Sequence, residues 1–275
     1  MQRRVVITGM GTINPLGHNV ETTWQNLVAG KSGVDLLTRF DTSNFHTKIA
    51  AEVRDFDPSN YIAPREARRM DLFLQFALVA TMEALDQAKL PLDSEADQIG
   101  VLFGTSIGGL ETTLATYETL TQKGPRRVSL LSFMTMLPNI AAAVIAIKTG
   151  ARGPNFSIAS ACATGTNVIG EAWEIIRRGD AKAMIAGASE ALILPLVFAG
   201  FDRGQALSRR NDEPQKASRP FDAQRDGFVF GEGAGALVLE ELSSARARGA
   251  EILAEIIGYG GSSDAYHIIT PPERG

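Results

Sequence analysis

The chain contains one cysteine, Cys162, within the segment SIASACATGT (residues 157–166). Asn155–Ser160 is predicted to form a buried strand and Thr166–Arg178 an amphipathic helix, which places Cys162 in a strand-to-helix turn. Such turns present nucleophiles in other α/β enzymes. The N–H groups of a helix N-terminus favour a thiolate over a thiol and can stabilise an oxyanion formed when sulfur attacks a carbonyl. Free cysteine is also often buried, so spacing alone leaves a nucleophile and a core residue equally open.

Three glycine clusters suggest other chemistry, but none of them is a cofactor motif by itself. The strand leading into Gly9 and Gly11 resembles the start of a dinucleotide-binding motif, but that motif needs a third glycine where Asn14 stands, and Pro15 disfavours a helix there. The segment GTSIGG (104–109) matches no phosphate-binding spacing and is predicted to be a tight turn. In GFVFGEGAGALVLEE the glycines lead into a strand, and we expect them to permit close backbone packing beneath a site: Gly227, Gly231, Gly233 and Gly235.

Composition narrows the class of protein. The 275 residues are 44% hydrophobic and 21% charged, typical of a globular protein with ample material for a core. The net charge of −4 argues against general nucleic-acid binding. A single cysteine excludes an internal disulfide and suits a reducing compartment. The N-terminus has no signal-peptide pattern and no run approaches ~20 apolar residues, so we expect a cytoplasmic protein without a membrane span.

Short β-branched runs alternate with amphipathic segments along the chain. This order predicts a largely parallel α/β sheet with strands covered on both faces. The predicted strands are Arg4–Thr8, Ile99–Phe103, Asn155–Ser160, Ala183–Ala186, Ala236–Glu240 and Ile252–Gly258. The predicted helices are Val20–Ala29, Pro64–Lys89, Thr112–Thr121, Asn139–Lys148, Thr166–Arg178 and Leu242–Arg248. The loop Ser208–Asp226 is the longest irregular segment.

The segment SIASACATGTNVIGEAWEIIRRGDAKAMIAGASEA closely resembles the active-site region of the β-ketoacyl-acyl-carrier-protein synthases. The similarity continues through VVITGMGTINPLG, LFGTSIGG, ALSRRNDEPQKASRPFDAQRDGFVFGEGAGALVLEE and GSSDAYHIITPP, and is greatest to the type II elongating enzymes of dissociated fatty-acid synthesis. The resemblance implies a thiolase-like α/β fold, a homodimer and no cofactor or metal. Residues 1–250 would form the complete N-terminal βα half and residues 251–275 the beginning of the C-terminal half.

The resemblance also assigns roles to individual residues. Cys162 corresponds to the nucleophile that takes an acyl group from acyl carrier protein before decarboxylative condensation with malonyl-carrier protein, and its own N–H to one oxyanion donor. Ile107 and Phe201 fall where the family lines its acyl tunnel, and Phe133 where the dimer partner approaches that tunnel. Basic residues correspond to the docking surface for the acidic carrier protein: Arg65, Arg68, Arg69, Arg126, Arg127 and Arg203. Without the family, Ile107, Phe133 and Phe201 would equally be interpreted as ordinary core residues, and the arginines as a solvated surface.

Two histidines and a lysine of the family's active site have no counterpart here. The chain has only His18, His46 and His267, none of which is followed by glycine. The sequence therefore resembles roughly the first two-thirds of a synthase, and we expect the chain by itself to be inactive in the condensation reaction. Other functions are less compatible with the sequence: a degradative thiolase matches the motifs less well, a chain-length-factor partner subunit lacks the cysteine, and a nicotinamide dehydrogenase conflicts with Asn14 and Pro15.

Overall fold

A computed structural model of the protein describes residues 3–273. Within this range there are eight strands: β1 Val5–Ile13, β2 Asp35–Leu36, β3 Ile49–Ala50, β4 Ile99–Gly104, β5 Asn155–Phe156, β6 Ala183–Glu190, β7 Gly233–Glu241 and β8 Ala254–Ile256. The same range contains ten α-helices: α1 Val20–Val28, α2 Pro64–Ala67, α3 Leu72–Ala88, α4 Leu92–Glu95, α5 Leu110–Lys123, α6 Leu130–Thr135, α7 Ile140–Thr149, α8 Thr164–Arg178, α9 Pro195–Arg203 and α10 Leu242–Ala247. None of these helices is long and apolar enough to cross a membrane.

Six strands form one mixed sheet in the order β5-β4-β6-β7-β1-β8, while β2 and β3 form a separate antiparallel pair. The pairs β5–β4 and β4–β6 are parallel, whereas β6–β7, β7–β1 and β1–β8 are antiparallel. The prediction of a largely parallel sheet was therefore wrong for three of the five neighbouring pairs. β6 and β1 run in the same direction, but β7 lies between them and runs in the opposite direction, so β6 and β1 do not pair with each other.

Alternate strand residues supply two hydrophobic layers, one on each face of the sheet. Val101 and Phe103 of β4 pack with α3 and α7, and this layer is the larger core. Leu102 points to the other face, where it packs with Val168, Trp173 and other residues of α8. The sheet is thus covered by α3 and α7 on one side and by α8 on the other.

Helix α3 lies unusually close to β1 because glycines face it. A Cβ added at Gly11 would lie 1.9 Å from the carbonyl oxygen of Ala80, and one at Gly9 would lie 2.1 Å from that of Ala84. The two glycines of the apparent nucleotide motif therefore allow backbone-to-backbone packing. Their neighbour is a helix some 70 residues further along the chain, not a helix that follows the strand directly.

Side chains of α3 also accept hydrogen bonds from the part of the β1 edge that does not pair with β8. Beyond Ile7, the N–H of Met10 donates to Gln87 at 2.9 Å and that of Thr12 donates to Glu83 at 2.9 Å. Glu83 additionally accepts from the N–H of Val20, at the start of α1, at 2.7 Å. Burial raises the pKa of Glu83 although both N–H donors oppose the rise. The carboxyl group thereby links β1, α1 and α3.

Two predicted elements differ markedly from the structure, and some observed elements were not predicted. The predicted helix Pro64–Lys89 is broken into α2 and α3, because Asp71 has an extended ψ of 152° and caps α3. The predicted buried strand Asn155–Ser160 is only the two-residue, exposed edge strand β5. Helix α9, which begins at Pro195, was not predicted, and neither were the short elements β2, β3, α4 and α6.

The close contact between β1 and α3 gives a first testable prediction. Gly11→Ala places a methyl group inside the backbone of α3 and should lower the free energy of unfolding by about 3 kcal/mol or more, at the upper end of typical overpacking costs. Gly235→Ala is the matched control, because Gly235 lies in the adjacent strand β7 and a Cβ there would meet nothing within 4 Å. Chemical denaturation of both variants measures the difference. Equal stabilities would contradict the packing described here.

Candidate active site

Cys162 lies in a 3₁₀ turn, Ala161–Ala163, that leads directly into α8. Its side chain is exposed, so it is not the buried core cysteine that spacing alone left open. The turn has an unusual backbone: Ser160 has φ −136° and ψ 41°, and Ala161 has a positive φ of 50°. The N–H of Ser160 donates to Thr164 Oγ1 at 2.9 Å, and the N–H of Ala163 donates to the Ser160 carbonyl at 3.1 Å.

The end of β4 packs directly against this turn. A Cβ at Gly104 would lie 2.4 Å from Thr164 Cγ2 and 2.8 Å from the carbonyl oxygen of Ile158. Only a residue without a side chain allows the start of α8 and the segment before Cys162 to approach the strand this closely. The first glycine of GTSIGG therefore serves packing under the cysteine turn.

Ile107 lies in the turn that follows β4, and a carboxylate fixes that turn. Glu190, at the end of β6, accepts from the Ser106 N–H at 2.7 Å, from the Thr105 hydroxyl at 3.0 Å and from the Ser106 hydroxyl. The N–H of Gly108 donates back to Thr105 Oγ1 at 3.1 Å, and Gly108 has a positive φ of 86°. The tight turn predicted at GTSIGG is confirmed, and Ile107 projects from it with 46% of its surface exposed.

Phe201, on α9, belongs to an aromatic cluster that the sequence did not reveal. Its ring centroid lies 4.9 Å from that of Phe230 and 5.6 Å from that of Phe228. Phe201 and Phe228 are both partly exposed. The alternation in the sequence Phe228-Val229-Phe230 was the available signal, since it places two aromatic rings on one side of an extended segment.

The residue after Phe201 ties α9 to the segment that precedes β3. Asp202 accepts from the N–H groups of His46 and Thr47 at 3.0 and 3.1 Å and contacts His46 Nδ1 at 3.1 Å. Burial opposes ionisation of Asp202, but these donated bonds hold its pKa below the ordinary value. The position of α9, and with it that of Phe201, is therefore anchored by a buried carboxylate.

Phe133 is exposed on the short helix α6. The end of α6 lies against the turn that carries Ile107, because a Cβ at Gly109 would be 2.4 Å from the carbonyl oxygen of Thr135. Phe133 itself belongs to a run of exposed apolar residues on this helix that also includes Leu130, Leu131 and Met134.

The sheet topology brings Cys162, Ile107 and Phe201 to one edge. They follow β5, β4 and β6 respectively, and these three strands are parallel neighbours. The carboxyl ends of parallel strands meet at one edge of a sheet, which is where open α/β sheets bind their ligands. Within residues 3–273 no cluster of three or more potential metal ligands occurs.

Two of the predicted basic groups meet at a groove of about 540 Å³. Arg68 at the end of α2 lies on one wall and Arg127 after α5 lies on another, with the hydroxyls of Thr116, Ser129 and Ser132 among the lining groups. Arg65, Arg69 and Arg126 are exposed beside them. Arg203 is exposed on α9 and does not line this groove.

Similar proteins place this arrangement in a family. The sequence model described as the N-terminal domain of beta-ketoacyl synthases matches residues 2–245. The 3-oxoacyl-[acyl-carrier-protein] synthase 2 of Staphylococcus aureus (strain N315) is 50% identical over 274 residues, which are 99% of this chain and 66% of that protein. The chain therefore spans just under two-thirds of the length of this curated relative.

Solved structures agree with the sequence comparison. A beta-ketoacyl synthase from Burkholderia phymatum STM815 superimposes with a TM-score of 0.89 at 38% identity, over 98% of this chain and 66% of that one. A ketosynthase bound to a hexaketide, in complex with a type II PKS acyl-carrier protein, superimposes with a TM-score of 0.84 at 35% identity, over 99% of this chain and 66% of that one. These ketosynthases share the α/β fold across nearly the whole chain, and the chain belongs to the β-ketoacyl synthase family.

Proposed function

We propose that this chain carries the acyl-accepting part of a 3-oxoacyl-[acyl-carrier-protein] synthase of fatty-acid elongation. The observation that most supports this is an exposed Cys162 on the turn before α8, at the sheet edge that also holds Ile107 and Phe201. The Staphylococcus aureus relative, 50% identical, is named for that reaction. The cytoplasmic location, the homodimer and the division at residue 250 remain predictions alongside it.

Acyl transfer would proceed by nucleophilic catalysis. The sulfur of Cys162 attacks the carbonyl carbon of an acyl thioester on the carrier protein, and the oxyanion that forms is met by the Cys162 N–H. Collapse of this intermediate breaks the bond to the carrier, whose thiol leaves with the proton. A carbanion made when malonyl-carrier protein loses CO₂ would then attack the acyl group, form the new carbon–carbon bond and release the thiolate.

The surroundings of Cys162 suit an acyl chain. Ile107 and Phe201 contribute partly exposed apolar surface at the same sheet edge, and Phe228 extends that surface beside Phe201. We assign Phe133 to the region where a dimer partner would approach. The exposed edge strand β5 and the exposed apolar run on α6 support pairing with a second copy in this region.

The groove between Arg68 and Arg127 supports the docking of an acidic carrier protein. A related ketosynthase is known in complex with an acyl-carrier protein. Arg65, Arg69 and Arg126 extend the positive surface around the groove, and we assign Arg203 to a second part of the docking surface. Exposed basic groups of this kind raise association rates with an acidic partner and lose their effect as salt increases.

The three histidines of the chain have local partners instead of the roles that condensation requires. His18 packs edge-on against Phe56, His46 contacts Asp202, and His267 accepts from the N–H groups of Ile269 and Thr270. We therefore assign to none of them the roles of the family's two catalytic histidines.

The second prediction tests the thiol. Incubation of the chain with an acyl thioester of acyl carrier protein should give an acyl adduct on Cys162, detected by intact mass and peptide mapping. Cys162→Ser should give no adduct while keeping the circular dichroism spectrum, because a serine hydroxyl in this turn has no base to activate it. An adduct that survives in Cys162→Ser would assign the acyl group to another residue.

The third prediction tests the docking groove. Arg68→Glu should weaken binding of acyl carrier protein roughly threefold to tenfold at low ionic strength and much less at high salt. Arg68→Glu combined with Arg69→Glu should weaken it further. Arg246→Glu makes the same charge change on α10, outside the groove, and should leave binding nearly unchanged. Titration calorimetry at two salt concentrations measures all three, and equal losses at Arg68 and Arg246 would contradict docking at this groove.

The fourth prediction concerns the chain alone. Without the histidine donors, the charge that develops during decarboxylation is not stabilised, and losing one such donor typically costs ~10²–10³ in rate. Malonyl- and acyl-carrier protein incubated with the purified chain should therefore give no detectable 3-oxoacyl product by mass spectrometry. Turnover comparable to a full-length synthase would place the catalytic groups within these 275 residues.

The same chain should associate in solution. An apolar groove of about 460 Å³ opens beside α8, lined by Met10, Val20, Ile169 and Leu237 among others, and Trp24, Leu27 and Val28 are exposed on α1. Light scattering should thus report species larger than a monomer.

A further inference from the structure

A hydrogen-bonded path connects the turn of Cys162 to a residue almost 100 positions further along the chain. The hydroxyl of Tyr259 donates to Asn167 Oδ1 at 3.1 Å, and Asn167 Nδ2 donates to Ser160 Oγ at 2.7 Å. Asn167 lies in the first turn of α8, and Ser160 precedes Cys162 by two residues. The path therefore ends on the backbone segment that carries the cysteine.

That segment needs external support. Ala161 has a positive φ of 50°, which L residues with a side chain rarely adopt and which persists only where surrounding contacts hold it. Two of the hydrogen bonds that fix Ser160 lie within the turn. The N–H of Ser160 donates to Thr164 Oγ1, and the Ser160 carbonyl accepts from the N–H of Ala163. The bond from Asn167 fixes the Ser160 side chain as well, and Tyr259 in turn orients the amide of Asn167.

Tyr259 is itself held in place against α8. A Cβ at Gly170 would lie 2.2–2.4 Å from three atoms of the Tyr259 ring, so the ring rests directly on the helix backbone. Three residues earlier in the same segment, the carbonyl of Ile256 accepts from Trp173 Nε1 at 3.0 Å. Tyr259 lies beyond residues 2–245, the part of the chain that matches the N-terminal domain.

We propose that Asn167 and Tyr259 are positioning residues for Cys162, which hold the Ser160–Ala161 backbone in the conformation that exposes the thiol. Gly170 is part of this arrangement because only glycine leaves room for the tyrosine ring. The inference rests on the proposed function in that Cys162 is the acyl acceptor. It adds that the nucleophile turn depends on a residue outside the domain that contains it.

The test uses the rate at which iodoacetamide alkylates Cys162 in the 275-residue chain, measured across the pH range in which a cysteine thiol ionises. Tyr259→Phe removes the hydroxyl and keeps the ring, whereas Gly170→Ala displaces the ring and keeps the hydroxyl. Both should slow alkylation roughly threefold to tenfold, the effect of about one net hydrogen bond, and change the pH–rate profile. Asn167→Ala should have at least as large an effect.

Two controls separate positioning from general loss of stability. Tyr266→Phe removes a hydroxyl from an exposed tyrosine in the same C-terminal segment and should behave like the unmodified chain. Gly170→Ala raises intrinsic helix propensity, so slower alkylation in that variant would not follow from a weaker helix. Amide hydrogen exchange at Ser160–Ala163 provides a second measurement and should increase in Tyr259→Phe and Asn167→Ala.

Unchanged alkylation rates and unchanged exchange in Tyr259→Phe and Asn167→Ala would overturn the proposal, as would an equal effect in Tyr266→Phe. Failure of the proposed function would look different. In that case the unmodified chain would not accept an acyl group from carrier protein, while the contrast among alkylation rates would remain.

Discussion

Parallel pairing of β4 with β5 and β6 determines where every candidate residue at the sheet edge lies. Gly104 pairs with Ala188, and Leu102 pairs with Phe156, so β5 ends two residues before the end of β4 and β6 continues two residues beyond it, all toward the same edge of the sheet. The segments that follow them must then emerge side by side. This register brings the turn of Ile107, the turn of Cys162 and helix α9 to one edge, although Ile107 and Phe201 are 94 residues apart in sequence, with Cys162 between them.

Close backbone contacts convert that register into a specific surface. Gly104 lets the start of α8 rest on the end of β4, and Gly11 lets α3 rest on β1. Glu190, at the end of β6, fixes the turn that follows β4, because its carboxylate accepts hydrogen bonds from Thr105 and Ser106. The candidate site therefore depends on small residues beneath it and on carboxylates beside it, as well as on the cysteine.

The sequence predicted most helices and strands because their apolar periodicity is strong. It also predicted the turn at Cys162, since small residues there precede a strongly amphipathic run. It did not predict β7 between β6 and β1, because strand order depends on contacts between segments that are distant along the chain. The break at Asp71 was missed for a related reason: its carboxylate accepts from the N–H and hydroxyl of Thr112, 41 residues away.

The same limit applies to the site. Cys162, Ile107, Phe201 and Phe133 were assigned from a resemblance, and nothing in composition or spacing would have grouped them. The path from Tyr259 to Ser160 crosses 99 positions and has no sequence signal, because each of its members is an ordinary polar or aromatic residue. Such paths become visible only when the fold places Gly170 beneath the tyrosine ring.

Packing at the start of α3 also affects the charge of the groove that Arg68 and Arg127 line. Asp71 lines the groove, yet the residue is only 4% exposed, and its carboxylate accepts hydrogen bonds from the N–H of Phe73 and from the N–H and hydroxyl of Thr112. A carboxylate that is occupied in this way at two helix N-termini is partly neutralised by the N–H groups it faces. Arg68 and Arg127 instead extend into solvent, where an approaching molecule meets them first. Burial of Asp71 leaves Arg68, Arg127 and Glu111 as the exposed charged residues of the lining, so the groove has a small excess of positive charge although the chain as a whole is acidic.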